Sequence, residues 1–66
     1  MSKFVEHPDW HEKNRRLAAE TRVDFSTLAD GTKGVFVHYS GMPIILTKDE
    51  ALNIATRMAD VIGRLP

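Results

Sequence analysis

Residues 34–50, which read GVFVHYSGMPIILTKDE, contain the strongest indications of the fold. Two apolar runs, 34–39 and 42–46, flank Ser40-Gly41, and glycine readily takes the positive φ that a two-residue hairpin turn demands. Because Pro43 has no amide hydrogen, the second run is either an edge strand or carries its proline on the unpaired side. We therefore predict a hairpin in which three pairs of residues face each other: Tyr39 with Met42, Val37 with Ile44, and Val35 with Leu46.

A helix is predicted to follow the hairpin directly. Thr47 and Glu50 have the spacing of a capping box, in which each side chain accepts a hydrogen bond from the backbone amide of the other residue. From Ala51 to Leu65 the apolar residues fall on one half of a helical wheel. The pattern predicts an amphipathic C-terminal helix over about residues 47–63.

A third strand is predicted upstream, over about residues 22–28, and residues 30–34 supply the turn to the hairpin. Its register depends on the number of residues in that turn, because a slip of one residue exchanges the two faces of a strand. An even number would place Val23 and Phe25 on the face of Phe36, whereas an odd number would place them on the opposite face. The sequence leaves both registers open.

The segment before the strands predicts a second helix, over about residues 9–20. Pro8 suits a first turn, and Asp9 with Glu12 resembles a weak cap. The apolar stripe of this helix is thin, so Trp10 and Leu17 would have to dock it. Residues 1–7 are expected to be a flexible segment. The whole chain is then one α+β domain over 1–66, with the order helix, three-stranded antiparallel meander, helix.

Size and composition restrict the ways in which this domain can be stable. A chain of 66 residues buries only about 60% of its unfolded surface, and without cysteine it has neither disulfides nor thiolate zinc sites. Self-association is the remaining device. The apolar runs are too short for a membrane span, and the N-terminus lacks the apolar core of a signal peptide. We expect a cytoplasmic protein that does not enter a membrane.

The two faces of the predicted hairpin are both partly apolar, although an antiparallel sheet with one wet face should alternate apolar and polar residues. The C-terminal helix can cover one face. The other, which carries Phe36, His38 and Ile45, needs the thin N-terminal helix or another chain. We expect a homodimer, or a complex with another protein, formed through that second face or through an exposed strand edge.

No motif predicts catalysis, a cofactor or a metal site. His7 and His11 have a spacing that can place two ligands on one helical face, but no third ligand is evident. His38 has only Asp24 as a candidate orienting carboxylate, and a half-buried strand histidine is the favoured interpretation. Residues 30–34 contain two glycines and a lysine, yet they lack the spacing of a phosphate loop and precede a strand.

The N-terminal helix carries the densest basic patch of the chain. Lys13, Arg15 and Arg16 lie near Trp10, and arginine and tryptophan are enriched at binding sites. A solvated helix face with Trp10 in the core is the favoured interpretation. Nine basic and nine acidic residues give no net charge, which weakens a nucleic-acid hypothesis because phosphate binding depends largely on basic side chains.

The αβββα order resembles the double-stranded-RNA-binding domain and the toxin ribonucleases of the HicA family. The motifs of both families are missing. The second helix begins Thr47-Lys48-Asp49-Glu50 instead of with a lysine cluster, and His38 follows Phe36-Val37 instead of a glycine-serine pair. Neither function is carried over.

The second half of the chain resembles small accessory proteins of actinobacterial bacteriophages, some of which bind host proteins. The residues that carry this resemblance are Asp30-Gly31, Val35, Val37, Tyr39-Ser40-Gly41, Pro43-Ile44, Leu46-Thr47 and Ala51. It implies a non-enzymatic role in a host cytoplasm.

The sequence therefore favours a non-enzymatic interaction module, homodimeric and able to bind a partner protein. The alternative is a small nucleic-acid-binding regulator that uses the basic helix. The residues expected to contact a partner are Trp10, Lys13, Arg15, Arg16, Phe36, His38 and Ile45.

Overall fold

The computed structural model describes residues 4–66 and confirms the predicted order of helix, three strands and helix. A 3-10 turn, Pro8–Trp10, leads into helix α1, His11–Glu20. The strands are β1 Arg22–Thr27, β2 Lys33–Tyr39 and β3 Met42–Leu46, and helix α2 is Lys48–Arg64. The sheet is antiparallel with β2 at its centre. Part of the predicted flexible segment 1–7, residues 1–3, lies outside the described residues.

The β2–β3 hairpin has the predicted turn and register. Ser40 and Gly41 both have positive φ, at 53° and 77°, as a two-residue turn of the type that matches the strand twist requires. Tyr39 pairs with Met42, and the other two predicted pairs are also present. β3 is an edge strand, which is where a strand tolerates Pro43.

The register of β1 is the one that an odd-length turn produces. Residues 28–32 form the connection, with Gly31 at a φ of 89°. The Asp30 carboxylate accepts hydrogen bonds from the hydroxyl and amide groups of Thr32, which together hold the pKa of Asp30 below its ordinary value. Val23 therefore lies opposite Val37, and Phe25 lies opposite Val35.

This register defines two faces of the sheet. Directly paired residues share a face, and successive residues along a strand alternate between faces. We call the front face the one formed by Val23, Phe25, Thr27, Lys33, Val35, Val37, Tyr39, Met42, Ile44 and Leu46. We call the back face the one formed by Arg22, Asp24, Ser26, Phe36, His38, Pro43 and Ile45.

Helix α2 begins at the predicted capping box. The Thr47 hydroxyl accepts from the Glu50 amide at 3.1 Å, and the Glu50 carboxylate accepts from the Thr47 amide at 2.8 Å. The cap follows β3 immediately, so the chain turns back and lays the first half of α2 over the front face. There the helix lines a groove with the sheet through Ala51, Ile54, Ala55 and Met58.

The start of α1 differs from the prediction. Asp9 does not cap the helix with its side chain; its amide instead donates to Nδ1 of His7 at 3.1 Å. Trp10, the residue before α1, makes no side-chain cap bond. Pro8 starts a 3-10 turn closed by the Trp10 amide and the His7 carbonyl at 2.9 Å. Asp9 therefore lies inside this turn, where its carboxylate is not at a capping position.

Candidate interaction surface

The described chain, residues 4–66, contains no buried residue. The accessible surface is 6136 Å², whereas a folded monomer of this mass exposes about 4250 Å². The radius of gyration is 14.5 Å, against about 11 Å for a compact chain of this length. The secondary structure is thus complete, but the single chain exposes roughly 1900 Å² more than a closed domain would.

Part of the exposed apolar area lies in the groove between α2 and the front face. The groove has a volume of about 260 Å³. Every side chain that lines it is apolar: Val23, Val35, Val37, Leu46, Ala51, Ile54, Ala55 and Met58. An open apolar groove of this kind is typical of a binding surface.

The apolar stripe of α2 continues beyond the sheet. Among residues 4–66, those that line a second hollow all belong to α2 and include Arg57, Val61 and Ile62. Ile62 is 64% exposed, and Val61 and Leu65 are also exposed. We call Met58, Val61, Ile62 and Leu65 the α2 tail.

The β1 side of the front face is equally open. Phe25 is 93% exposed, and Val23 beside it on the strand is also exposed. Helix α2 packs against β2 and β3, so it lies to one side of Phe25. A phenylalanine held in a regular strand with almost no cover is unusual for a folded monomer.

Both edges of the sheet carry features that hinder pairing with another strand. The Phe25 amide donates to the Asp24 carboxylate at 2.7 Å, so a strand added at β1 would have to break that bond. On β3, Pro43 offers no amide donor. Such features hinder the addition of a strand at the edge of a sheet. They favour the apolar surface over a strand edge as the contact with another chain.

The back face holds three of the predicted partner residues. The rings of Phe36 and His38 stack with centroids 5.9 Å apart and an interplanar angle of 19°, and both residues are half-buried. Ile45, opposite Phe36, is more exposed. The structure thus brings Phe36, His38 and Ile45 together on one face, as the sequence predicts.

His38 and Asp24 share the back face but point to different partners. They lie on neighbouring strands in diagonal positions, since Asp24 pairs with Phe36 and His38 pairs with Arg22. The Asp24 carboxylate accepts from the amide of Phe25, and the His38 ring stacks on Phe36. The arrangement favours the interpretation of His38 as a half-buried strand histidine.

The four predicted residues of α1 and its preceding turn form a second cluster. Lys13 Nζ lies 4.6 Å from the centre of the Trp10 ring, a cation–π distance. Arg15 pairs with Glu6 at 3.1 Å, and Arg16 is exposed. Trp10 is 52% exposed, so it is not the core anchor that the favoured interpretation of this helix assumed.

Glu6 connects the N-terminal segment to α1. Its carboxylate accepts from Asn14 at 2.8 Å, from His11 Nδ1 at 2.6 Å and from Arg15. The hydrogen bonds from Asn14 and His11, together with the charge of Arg15, hold the pKa of Glu6 below its ordinary value. We call these four side chains the Glu6 bracket.

His7 and His11 use their Nδ1 atoms for different local bonds. His7 accepts from the Asp9 amide, whereas His11 donates to Glu6. Within residues 4–66, no group of three or more histidine, aspartate or glutamate side chains is arranged to hold a metal ion.

The residues of the apolar surface that sequence reasoning did not single out are Val23, Phe25 and the α2 tail. A length mismatch could have indicated the α2 tail. The 17 residues of α2 span about 26 Å, whereas the five residues of β3 span about 17 Å. An apolar stripe that runs the full length of such a helix extends past the sheet.

No protein family, curated protein or solved structure matches the chain. In the part of the chain that the structure describes, neither helix has the length and apolarity needed to cross a bilayer.

Proposed function

We propose that this chain is a non-enzymatic protein-interaction module that works as a homodimer, joined through the apolar groove, the α2 tail and the β1 side of the front face. The observation that carries the proposal is the missing core: regular strands and a capped helix surround an apolar surface that the single chain leaves open. An open surface of this kind is stable only when it is covered.

The area supports a second copy as the cover. If each protomer hides its excess of roughly 1900 Å², a dimer buries about 3800 Å² in total, within the range of obligate homodimers. Obligate dimer interfaces also resemble a domain core cut in half. The surface of this chain has that character, because an apolar groove lies beside the uncovered Phe25. Of the described residues that line the two hollows of α2, Arg57 alone is charged, so self-association meets little charge repulsion.

The proposed dimer surface differs from the second sheet face that sequence reasoning favoured. That face, with Phe36, His38 and Ile45, is half-covered in the single chain. It is left free by dimerisation through the front face. The back face and the α1 cluster therefore remain the predicted surface for a different protein.

The basic helix supports a nucleic-acid role less well. Arg15 is neutralised by Glu6, and Lys13 lies over the Trp10 ring, so two of the three basic groups have partners within the chain. Phosphate binding would have to displace them. A salt titration separates the two functions, because nucleic-acid binding weakens steeply with salt while an apolar dimer hardly responds.

Sedimentation velocity of the intact chain tests the dimer. We expect a dimer at tens of micromolar, and a stable folded monomer at that concentration would overturn the proposal. Phe25→Ser supplies a second readout: at 93% exposure the change would be harmless in a monomer, but in a dimer it should lower the melting temperature.

Val5→Ser is the matched control for that second readout. Val5 is 87% exposed, lies before the first helix and lines none of the hollows of the apolar surface. Its substitution should leave both the melting temperature and the dimer unchanged. Equal effects of the two substitutions would count against coverage of Phe25.

A further inference from the structure

We infer that the dimer forms by reciprocal exchange, in which the α2 tail of each protomer lies across the β1 side of the front face of its partner. This inference rests on the proposed dimer and adds the arrangement of its two chains. Two uncovered elements carry it, one on the helix and one on the sheet.

The first element is the α2 tail. Met58, Val61, Ile62 and Leu65 follow each other at steps of three, one and three residues, which is the spacing of one helical face. The tail passes beyond the strands of its own chain after Met58, which still lines the groove, since the described residues around the hollow at Val61 and Ile62 all belong to α2. It has the pattern of a helix that packs on a sheet but has no sheet beneath it.

The second element is the β1 side of the front face. Phe25 and Val23 lie next to Val35, along a shallow hollow of about 310 Å³. Helix α2 of the same chain packs over β2 and β3 on the front face and leaves the β1 side of that face uncovered. On this side Val23 and Phe25 form an uncovered apolar surface, which is bordered by Thr27 and Lys33.

Symmetry selects how the two elements meet. In a two-fold dimer the same patch serves both protomers. Tail against tail would leave Phe25 exposed, and sheet against sheet would leave Val61 and Ile62 exposed. Tail on partner sheet, made twice, covers both elements at once, and it leaves intact the Asp24 bond to the Phe25 amide at the strand edge.

Cysteine cross-linking tests this arrangement directly, because the chain has no cysteine of its own. In the double variant Phe25→Cys with Ile62→Cys, oxidation should convert most of the protein into covalent dimer on a non-reducing gel. Each single variant should stay largely uncross-linked. The control pairs Phe25→Cys with Asn53→Cys, on the polar face of α2, and should give little covalent dimer.

The other outcomes overturn the inference in distinguishable ways. Cross-linking of Phe25→Cys alone would indicate sheet against sheet, and cross-linking of Ile62→Cys alone would indicate tail against tail. A disulfide within one chain would place the tail on its own sheet. If the parent chain sediments as a monomer, the proposed function fails; if it is dimeric but cross-links only in the single variants, only the exchange fails.

Complementation gives a second test that does not depend on disulfide geometry. Phe25→Asp and Ile62→Lys should each prevent dimer formation. Mixed and refolded together, they should form a heterodimer, because one of its two exchange contacts is native and the other joins Asp to Lys. Failure of the mixture to dimerise, with each variant retaining helical circular dichroism, would overturn the exchange.

Discussion

The two halves of α2 share one apolar stripe but differ in what lies against it. The first half starts at the Thr47–Glu50 capping box and faces Val35, Val37 and Leu46 of its own sheet. The last half has the same periodicity, but beyond Met58 no described strand residue lies against it. An amphipathic pattern therefore indicates that a helix packs one face against something, while the lengths of the neighbouring elements decide whether the same chain can cover that face.

The largest expected effect comes from a charge on the uncovered half. Ile62→Asp should raise the dissociation constant of the dimer at least about a hundredfold, because two isoleucine side chains, each contributing about 1.5–3 kcal/mol when buried, are lost per dimer. Sedimentation equilibrium measures the constant. Asn53→Asp, the same charge change on the polar face of the helix, should leave it within about threefold.

A change within the sheet that carries the covered half should act on folding of each chain. A Cβ added at Gly34 would collide with the Leu46 carbonyl oxygen, and backbone cannot move aside cheaply, so Gly34→Ala should cost about 1–3 kcal/mol in the free energy of unfolding. Urea denaturation at fixed protein concentration measures it.

Gly63→Ala is the matched control on the uncovered half. An added Cβ there meets nothing within 4 Å, and alanine in a helix is favoured over glycine by roughly 0.5–1 kcal/mol. The same substitution should therefore stabilise at residue 63 and destabilise at residue 34. Destabilisation at both sites would show that the helix tail is packed more closely than proposed.

The cap at the start of the covered half should have an intermediate effect. Thr47→Ala removes the acceptor for the Glu50 amide and should cost about 1 kcal/mol, as for other helix caps. Thermal unfolding followed by circular dichroism measures the loss. Thr56→Ala, inside the same helix, should change stability by no more than a few tenths of a kcal/mol, and an equal loss there would contradict the capping role.

The Glu6 bracket lies outside α2, and a change there should have the smallest effect on stability and on the dimer. Because the folded-state pKa of Glu6 is lowered, its contribution is present above the ordinary value of 4.5 and is lost as the pH falls through the lowered pKa. NMR shifts of the first turn of α1 should change in that window. Glu6→Gln should abolish this change and leave the dissociation constant unaltered; a persistent transition would assign it to another group.

The elements that sequence reasoning placed correctly are those with local causes. The turn at Ser40-Gly41, its strand pairs and the capping box each depend on residues a few positions apart, and all are present in the structure. The register of β1 was left open because it depended on how many residues the connection 28–32 would take. The expected cap at Asp9 was wrong because Pro8 starts a 3-10 turn first.

The candidate surface was predicted only in part. Grouping Phe36, His38 and Ile45 on one face followed from strand alternation, and the structure confirms it. Phe25 and the α2 tail were not singled out as exposed apolar residues, because their exposure depends on the β1 register and on where α2 runs relative to the sheet. Periodicity along a single element contains neither quantity.

The amino-acid sequence by itself determined the order of elements, the hairpin, the helix start and the need for added burial in a short chain without cysteine. These follow from backbone preferences, hydrogen bonds between near neighbours and the ratio of surface to volume. Which apolar side chains stay uncovered depends instead on the tertiary structure. Burial is a property of packed elements of definite length, and here α2 is longer than the sheet on which it rests.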